Sequence, residues 1–271
     1  MSQPLLQVDD LTTTLHVREG ALRILDGVTF SLSGGERLGI VGESGAGKTM
    51  TALSMTRLLR IPGAEVSGRV LLDGTDLLQL RRRDVRRLLG ARIGMIFQNP
   101  LNSLNPAMTV GAQISEAIRT HERVSRREAW ERATRLLEEV QLPSPARSAH
   151  DYPHRLSGGM RQRVVIAMAL ACQPGLLIAD EPTTALDVTT QAEIVDLIFA
   201  LAEVRGMSVI LITHDLALMA GFADRIVVLH RGRVVEEGSV RSIYASPRDG
   251  YTRALISSVA RLAPPAWRGG P

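Results

Sequence analysis

Apolar residues follow three patterns along this chain of 271 residues. Residues 5 to about 40 and 66–73 alternate apolar and polar side chains between glycine turns, which predicts antiparallel strands. Short continuous apolar runs near 38–41 and 176–179 predict strands buried on both faces, as in a parallel sheet. Residues 126–140 repeat apolar side chains at helical spacing, which places Ala129, Trp130, Ala133, Leu136, Leu137 and Val140 on one face. The patterns predict an α/β protein.

A glycine-rich segment, GESGAGKT at residues 42–49, follows the first buried run and precedes a predicted helix from Met50 to Leu59. The order strand, glycine-rich loop, helix is the context of a phosphate loop, in which backbone N–H groups and the helix dipole bind phosphates. Thr49 would place a hydroxyl on Mg²⁺. The predicted nucleotide-binding residues here are Gly42, Glu43, Ser44, Gly45, Ala46, Gly47, Lys48, Thr49 and Met50.

Lys48 is the only lysine among the 32 basic residues of the chain. Arginine therefore supplies every other basic side chain. An ammonium is a compact point charge that fits between β- and γ-phosphate oxygens, whereas a guanidinium is a planar fork. The exception at this position favours a nucleotide-binding role for the loop.

Two carboxylates end the second buried run, which reads LLIADE at residues 176–181. A parallel strand delivers such groups to the carboxyl edge of a sheet, where ligands bind. Asp180 is predicted to hold Mg²⁺, directly or through water, and Glu181 to deprotonate the water that attacks the γ-phosphorus. The alternative is a strand followed by an acidic helix cap.

A second anion site is predicted at LSGGMRQR, residues 156–163, where a helix begins. Ser157, Gly158 and Gly159 offer a hydroxyl, bare backbone amides and a helix dipole. One γ-phosphate does not need two such sites.

Composition narrows the function classes. The chain has 45% hydrophobic residues, a net charge of +4 and only 3% aromatic residues, and its basic residues are interleaved with acids, so nucleic acid is not an expected partner. Cys172, its single cysteine, excludes internal disulfides and all-cysteine metal sites. We expect a cytoplasmic protein, because the first residues lack a signal-peptide pattern, and any membrane role must come through a partner.

These motifs resemble those of the nucleotide-binding subunit of ATP-binding cassette (ABC) transporters, over about residues 5–240. The resemblance makes Gln98, in IFQNP, the Q-loop residue that contacts Mg²⁺ or the attacking water. It makes Ala185, Leu186 and Asp187 the D-loop, and His214, in LITHD, the switch histidine that meets the γ-phosphate. It implies two subunits arranged head to tail, each signature segment closing on ATP held by the other subunit.

The implied fold class is a P-loop NTPase with a RecA-like parallel-sheet core, an antiparallel β-subdomain and a helical signature subdomain at about 100–165. Residues 1–240 would form the ATPase domain and 241–271 a short tail. FQNPLNSLNP at 97–106, TTALDVTTQAEI at 183–194 and SPRDGYTRAL in the tail are similar to the ATPases of oligopeptide, dipeptide and nickel importers.

This similarity implies an ATPase at the cytoplasmic face of the cell membrane. It implies ATP and Mg²⁺ as cofactors and two membrane-spanning permeases and a second ABC ATPase, identical or different, as partners. An extracytoplasmic solute-binding protein would take part indirectly. The alternative is a cassette ATPase of a soluble complex, such as carbon–phosphorus bond-cleaving machinery.

Two departures from the family pattern bear on the site. Members place an aromatic residue upstream of the phosphate loop to stack on adenine, where this chain has Leu15 or His16. The longer peptide-importer ATPases carry a cysteine cluster near the carboxyl end, which is missing here, so no iron–sulfur centre is expected. Trp267 and its neighbours are predicted to form a loose end.

Overall fold

The computed structural model describes residues 3–18, 20–98, 103–184 and 186–260. Ala185 of the predicted D-loop and Trp267 lie outside these ranges. The chain divides into two units. Of the described residues, the first unit contains those up to Leu32, Arg37–Leu78 and those from Ile212 onward, and the second contains Ser33–Glu36 and Gln79–Leu211.

An antiparallel sheet of four strands lies in the first unit, with the order β2-β1-β4-β5. Burial alternates along β1, as the sequence pattern predicted, with Leu6, Val8 and Leu11 in the core. The strands are β1 (Leu6–Val17), β2 (Gly20–Leu32), β4 (Ala64–Leu72) and β5 (Thr75–Asp76).

Parallel pairing in the first unit joins β3 (Arg37–Val41) to β9 (Arg225–His230), and β10 (Arg233–Ser239) runs antiparallel to β9. Four of the five β3 residues are buried, which confirms the predicted strand. The helices of this unit are α1 (Lys48–Met55), α8 (Val240–Ala245), α9 (Gly250–Ala260) and a 3₁₀ turn, Ala217–Met219.

Helix α1 is shorter than the predicted Met50–Leu59. It ends at Met55, because Arg57, just beyond the Thr56 cap, adopts a left-handed φ of 54°. A residue in this conformation cannot continue a right-handed helix.

In the second unit, β7 (Leu176–Asp180) lies between β6 (Ile93–Ile96), to which it is parallel, and β8 (Ser208–Thr213), whose last two residues belong to the first unit. All residues of β7 and β8 are buried, as expected of strands covered on both faces. The helices are α2 (Arg82–Leu88), α3 (Val110–His121), α4 (Arg126–Glu139), α5 (Pro145–Ser148), α6 (Gly158–Ala169), α7 (Val188–Arg205) and a 3₁₀ turn, Pro153–Arg155.

The amphipathic prediction for α4 is confirmed. Its buried residues include Ala129, Ala133 and Leu137, while Trp130 is half-buried. Within the described ranges, none of the helices combines the length and the hydropathy that crossing a bilayer requires.

Candidate functional site

The phosphate loop connects β3 to α1 in the first unit, and two of its glycines have no room for a side chain. A Cβ on Gly42 would lie 2.3 Å from the carbonyl oxygen of Leu229, and one on Gly47, whose φ is 104°, would lie 2.8 Å from Leu25 Cδ2. The loop therefore needs glycine both for its conformation and for its close approach to neighbouring chain.

Lys48 is buried, at 5% exposure, and its ammonium lies against the carbonyl groups at the start of the loop. Its Nζ donates to Gly42 O at 2.8 Å and to Glu43 O at 3.0 Å. Glu43, Ser44 and Gly45 are exposed at the loop surface, whereas Thr49 and Met50 are half-buried. The buried cation and the exposed glycine-rich backbone suit a polyphosphate, since an anion can reach the amides while the ammonium is held in place.

Three further hydrogen bonds hold the loop from within the first unit. The Ala46 N–H donates to Glu43 O at 3.1 Å, and Ala46 O accepts the Gly232 N–H at 2.9 Å. The Glu43 N–H donates to the Tyr251 hydroxyl at 2.8 Å. Sequence reasoning missed Tyr251; the YTRAL segment identified a family tail but carried no sign of this contact.

His214, also in the first unit, lies exposed one residue beyond β8. The backbone turns there, because the Asp215 N–H donates to the Thr213 hydroxyl at 3.0 Å and the Ala217 N–H to the Asp215 carboxylate at 2.8 Å. The imidazole is thus presented at the end of a buried strand, which is the position predicted for it.

The carboxylates predicted for hydrolysis lie at the end of β7 in the second unit. Asp180 is 2% exposed, and Glu181 follows it with a left-handed φ of 45°. A non-glycine residue in this region is strained, and such strain is concentrated at functional sites.

The structure brings Gln98 and Glu181 together, although 83 positions separate them. The Gln98 amide donates to Glu181 Oε2 at 2.9 Å, and the Thr184 hydroxyl donates to the same oxygen at 3.0 Å. Two donors thus orient the carboxylate. The bond from Gln98 uses the nitrogen of its side-chain amide and not the carbonyl oxygen. Thr184 was not predicted; its neighbourhood in the EPTT turn was the available signal.

The signature segment, residues 156–163, carries its predicted helix start in the second unit. Ser157 caps α6 by accepting the Met160 N–H at 3.3 Å, and both Ser157 and Gly158 are exposed. A Cβ on Gly159 would lie 2.9 Å from Thr190 Cγ2, and one on Gly158 would lie 3.3 Å from Leu186 Cδ2. The small residues let the start of α6 pack against the D-loop.

Asp187 of the D-loop caps α7. Its carboxylate accepts the Thr190 N–H at 3.0 Å and the Thr190 hydroxyl at 2.9 Å. These hydrogen bonds stabilise the charged form and lower the pKa of Asp187 below its ordinary value. Thr190 therefore hydrogen-bonds to Asp187 and also fills the space that a side chain on Gly159 would need.

The two candidates for the adenine position differ in surroundings. Leu15 is half-buried and pairs across the sheet with Leu22, which is 54% exposed. His16 Nε2 lies 3.2 Å from a Glu65 carboxylate oxygen. Leu15 and Leu22 thus offer an aliphatic surface, and His16 offers an exposed imidazole whose edge contacts Glu65.

Comparison with known proteins agrees with these motifs. Residues 25–184 match the family model described as ABC transporter. The chain is 53% identical over 256 residues to a probable peptide ABC transporter ATP-binding protein from Sinorhizobium fredii, covering 94% of this chain and 76% of the relative. It is 47% identical over 259 residues to a dipeptide transport ATP-binding protein from Haemophilus influenzae, covering 96% and 78%.

Among solved structures, an ATP-binding cassette in a dimeric post-hydrolysis state bound to ADP and Pi superimposes with a TM-score of 0.77. It is 31% identical and covers 87% of this chain and 99% of its own. The predicted P-loop NTPase fold class is confirmed by this likeness. With a family model that spans more than half of its length, the chain belongs to the ABC transporter family.

Proposed function

We propose that this chain is the ATP-hydrolysing subunit of an ABC importer for peptides or a related small solute, such as nickel. The observation that carries the proposal is the phosphate loop with its buried Lys48, together with the fixed Gln98–Glu181 pair. The peptide and dipeptide transport functions of the two relatives described above support the peptide class.

The phosphate loop binds the triphosphate in this proposal. The exposed amides around Ser44 and Gly45 donate to phosphate oxygens, and the dipole of α1 adds a partial positive charge. Lys48 neutralises the β- and γ-phosphates. His214 contacts the γ-phosphate and distinguishes ATP from ADP.

The residues available for Mg²⁺ fit its preference for oxygen ligands and for sites with few protein groups. By the resemblance, the oxygen groups proposed for it are the Thr49 hydroxyl in the first unit and the Asp180 carboxylate and Gln98 carbonyl in the second. When bound, Mg²⁺ neutralises negative charge on the phosphates. Glu181 accepts a proton from the attacking water, and the hydrogen bonds from Gln98 and Thr184 orient its carboxylate for this role.

The signature segment serves the partner ATPase. Ser157, Gly158 and Gly159 bind the γ-phosphate of ATP held by the phosphate loop of the other subunit, so ATP closes the dimer and hydrolysis reopens it. The exposure of Ser157 and Gly158 supports the assignment, as does the dimeric state of the cassette with TM-score 0.77. ADP lacks the phosphate that bridges the subunits.

The closing and opening of the dimer drive two membrane-spanning permeases, which receive solute from an extracytoplasmic binding protein. The ATPase would lie at the cytoplasmic face of the membrane through its contacts with the permeases. Selectivity for the solute would rest with the permeases and the binding protein.

The test is affinity purification of the full chain from native membranes in mild detergent, followed by mass spectrometry and an ATPase assay. We expect two permeases to copurify, and the preparation to hydrolyse ATP. Recovery with soluble enzymes alone would retain the ATPase and overturn the importer assignment in favour of a soluble complex. The absence of MgATP hydrolysis in the recovered complex would overturn both.

A further inference from the structure

We infer that Tyr251 of the carboxyl-terminal helix α9 is a positioning residue for the phosphate loop, and that nucleotide binding and the order of α9 are coupled through it. The inference rests on the proposed ATPase function, and it assigns to the carboxyl-terminal segment a part in nucleotide binding.

The contact lies at the start of the loop. The Glu43 N–H donates to the Tyr251 hydroxyl oxygen at 2.8 Å, across 208 positions of sequence. The carbonyl oxygen of the same residue accepts from Lys48 Nζ and from the Ala46 N–H. Glu43 is therefore held through its amide by α9 and through its carbonyl by the loop itself, which fixes the backbone that precedes Ser44 and Gly45.

Tyr251 is itself held in place. Its ring packs on His230, at the end of β9, with 3.9 Å between ring centroids. Its backbone N–H donates to the Asp249 carboxylate at 2.8 Å. Burial raises the pKa of the Tyr251 phenol, so the group stays neutral at physiological pH.

A carboxylate on β10 anchors the turn that leads into α9. Glu236 accepts the Arg248 N–H at 2.8 Å and the Asp249 N–H at 3.0 Å. These bonds lower the pKa of Glu236 against the raising effect of burial, which is the largest single influence on it. The path from β10 through residues 248–251 to Glu43 is continuous, and every step is a hydrogen bond within the first unit.

The expected effect follows from preorganisation. A loop of flexible glycines binds phosphate more tightly when its amides are already oriented, because less conformational entropy is lost on binding. Removing the anchor at Glu43 lets the loop sample other conformations and weakens binding. Linkage makes the effect reciprocal. The hydrogen bond between Glu43 and Tyr251 contributes free energy to nucleotide binding, and bound nucleotide must stabilise that hydrogen bond by the same amount.

The experiment compares Tyr251→Phe with Tyr244→Phe in the full chain. Tyr244 provides the matched control because it lies on α8 and its hydroxyl donates to Leu216 O, which is outside the phosphate loop. Each variant loses one phenol hydroxyl and keeps its ring. Affinity for a fluorescent ATP analogue with Mg²⁺ is measured by titration, and amide hydrogen exchange is followed over residues 248–257 with and without MgATP.

We expect Tyr251→Phe to weaken binding by about 2- to 10-fold, the range that one lost hydrogen bond produces. Tyr244→Phe should change affinity by less. MgATP should slow exchange in residues 248–257 of wild type and of Tyr244→Phe, and it should slow exchange less in Tyr251→Phe.

Equal affinity of the two variants, or equal protection of residues 248–257 by MgATP in both, would overturn the inference while leaving the ATPase in place. A wild-type chain that binds no MgATP would instead overturn the proposed function. The exchange data on wild type alone also test the coupling, because a nucleotide that leaves α9 unaffected contradicts it.

Discussion

The phosphate loop and the signature segment are both glycine-containing helix starts that can bind anions, yet they are supported in different ways. The loop is held at its carbonyls by Lys48, at Ala46 by Gly232 and at Glu43 by Tyr251. The signature segment has its own Ser157 cap, and its support comes from side chains within it: Arg161 donates to Pro153 O and Arg163 to Val140 O, both at 2.8 Å. The difference suits a loop that binds ATP in one subunit and a segment that completes the site of another.

The largest effect is expected from stopping hydrolysis while both anion sites remain intact. Glu181→Gln should lower ATP turnover about 10²- to 10⁴-fold, the range for loss of a general base, and should leave MgATP binding intact. A MgATP-bound dimer should then accumulate, as seen by size-exclusion chromatography and single-turnover assays. Glu203→Gln, an exposed glutamate in α7, is the control. Wild-type turnover in Glu181→Gln would rule out the base assignment.

Removing the lysine charge should impair the phosphate loop and leave the signature segment intact. Lys48→Ala should weaken MgATP binding about 30- to 1000-fold, because a buried charged contact contributes about 2–4 kcal/mol. Titration calorimetry measures this. Lys48→Arg should restore little, because a guanidinium has a different shape. Unchanged affinity in Lys48→Ala would exclude the assigned role.

Adding a side chain at the start of α6 should impair the signature segment and leave the phosphate loop intact. Gly159→Val should weaken the ATP-dependent dimer of a Glu181→Gln background by about tenfold or more, since overpacking against Thr190 costs about 1–3 kcal/mol. Monomeric nucleotide affinity should stay unchanged. Gly175→Val is the matched control, because nothing lies within 4 Å of its Cβ position. Dimerisation is read by analytical ultracentrifugation.

A smaller effect is expected from the cap alone. Ser157→Ala and Ser125→Ala each remove an N-cap, of α6 and α4, and each should lower unfolding free energy by about 1 kcal/mol. Only Ser157→Ala should also weaken the ATP-dependent dimer. Equal dimer affinity in the two variants would argue that the Ser157 hydroxyl caps the helix and does nothing more.

The smallest effect concerns the strand that leads into the phosphate loop. Asp224 accepts the Arg37 N–H at 2.9 Å and its guanidinium at 2.8 Å, which lowers the pKa of that carboxyl. Its stabilisation is therefore present above the unfolded pKa of about 4 and is lost as pH falls through the lower folded value.

Because this pair is partly exposed, Asp224→Asn should cost at most about 1 kcal/mol at neutral pH. Denaturant titrations of wild type and Asp224→Asn at pH 7 and pH 3 measure the difference, which should shrink at the lower pH. A larger difference at pH 3 would contradict the assignment.

Much of the fold follows from the sequence because buried strands and amphipathic helices have periodic signatures. The runs at 38–41 and 176–179 became β3 and β7, and the 126–140 pattern became α4. The end of α1 did not follow, since the TRLLRIPG segment keeps a helical composition while Arg57 takes a left-handed conformation.

The roles predicted for site residues remain predictions, although the motifs located them. Two contacts had no local signal: Gln98 with Glu181 across 83 positions, and Glu43 with Tyr251 across 208. Such pairs depend on how strands and helices pack, and that information is not periodic in the chain.

The left-handed backbone at Glu181 costs folding free energy at a residue that is assigned to catalysis. A carboxylate there costs about 1 kcal/mol or more relative to glycine, which adopts a φ of 45° without strain. The hydrogen bonds from Gln98 and Thr184 act in the opposite direction, because replacing Glu181 with glycine would leave both donors without this acceptor. The strained backbone at Glu181 is therefore held in place by the same hydrogen bonds that orient its carboxylate.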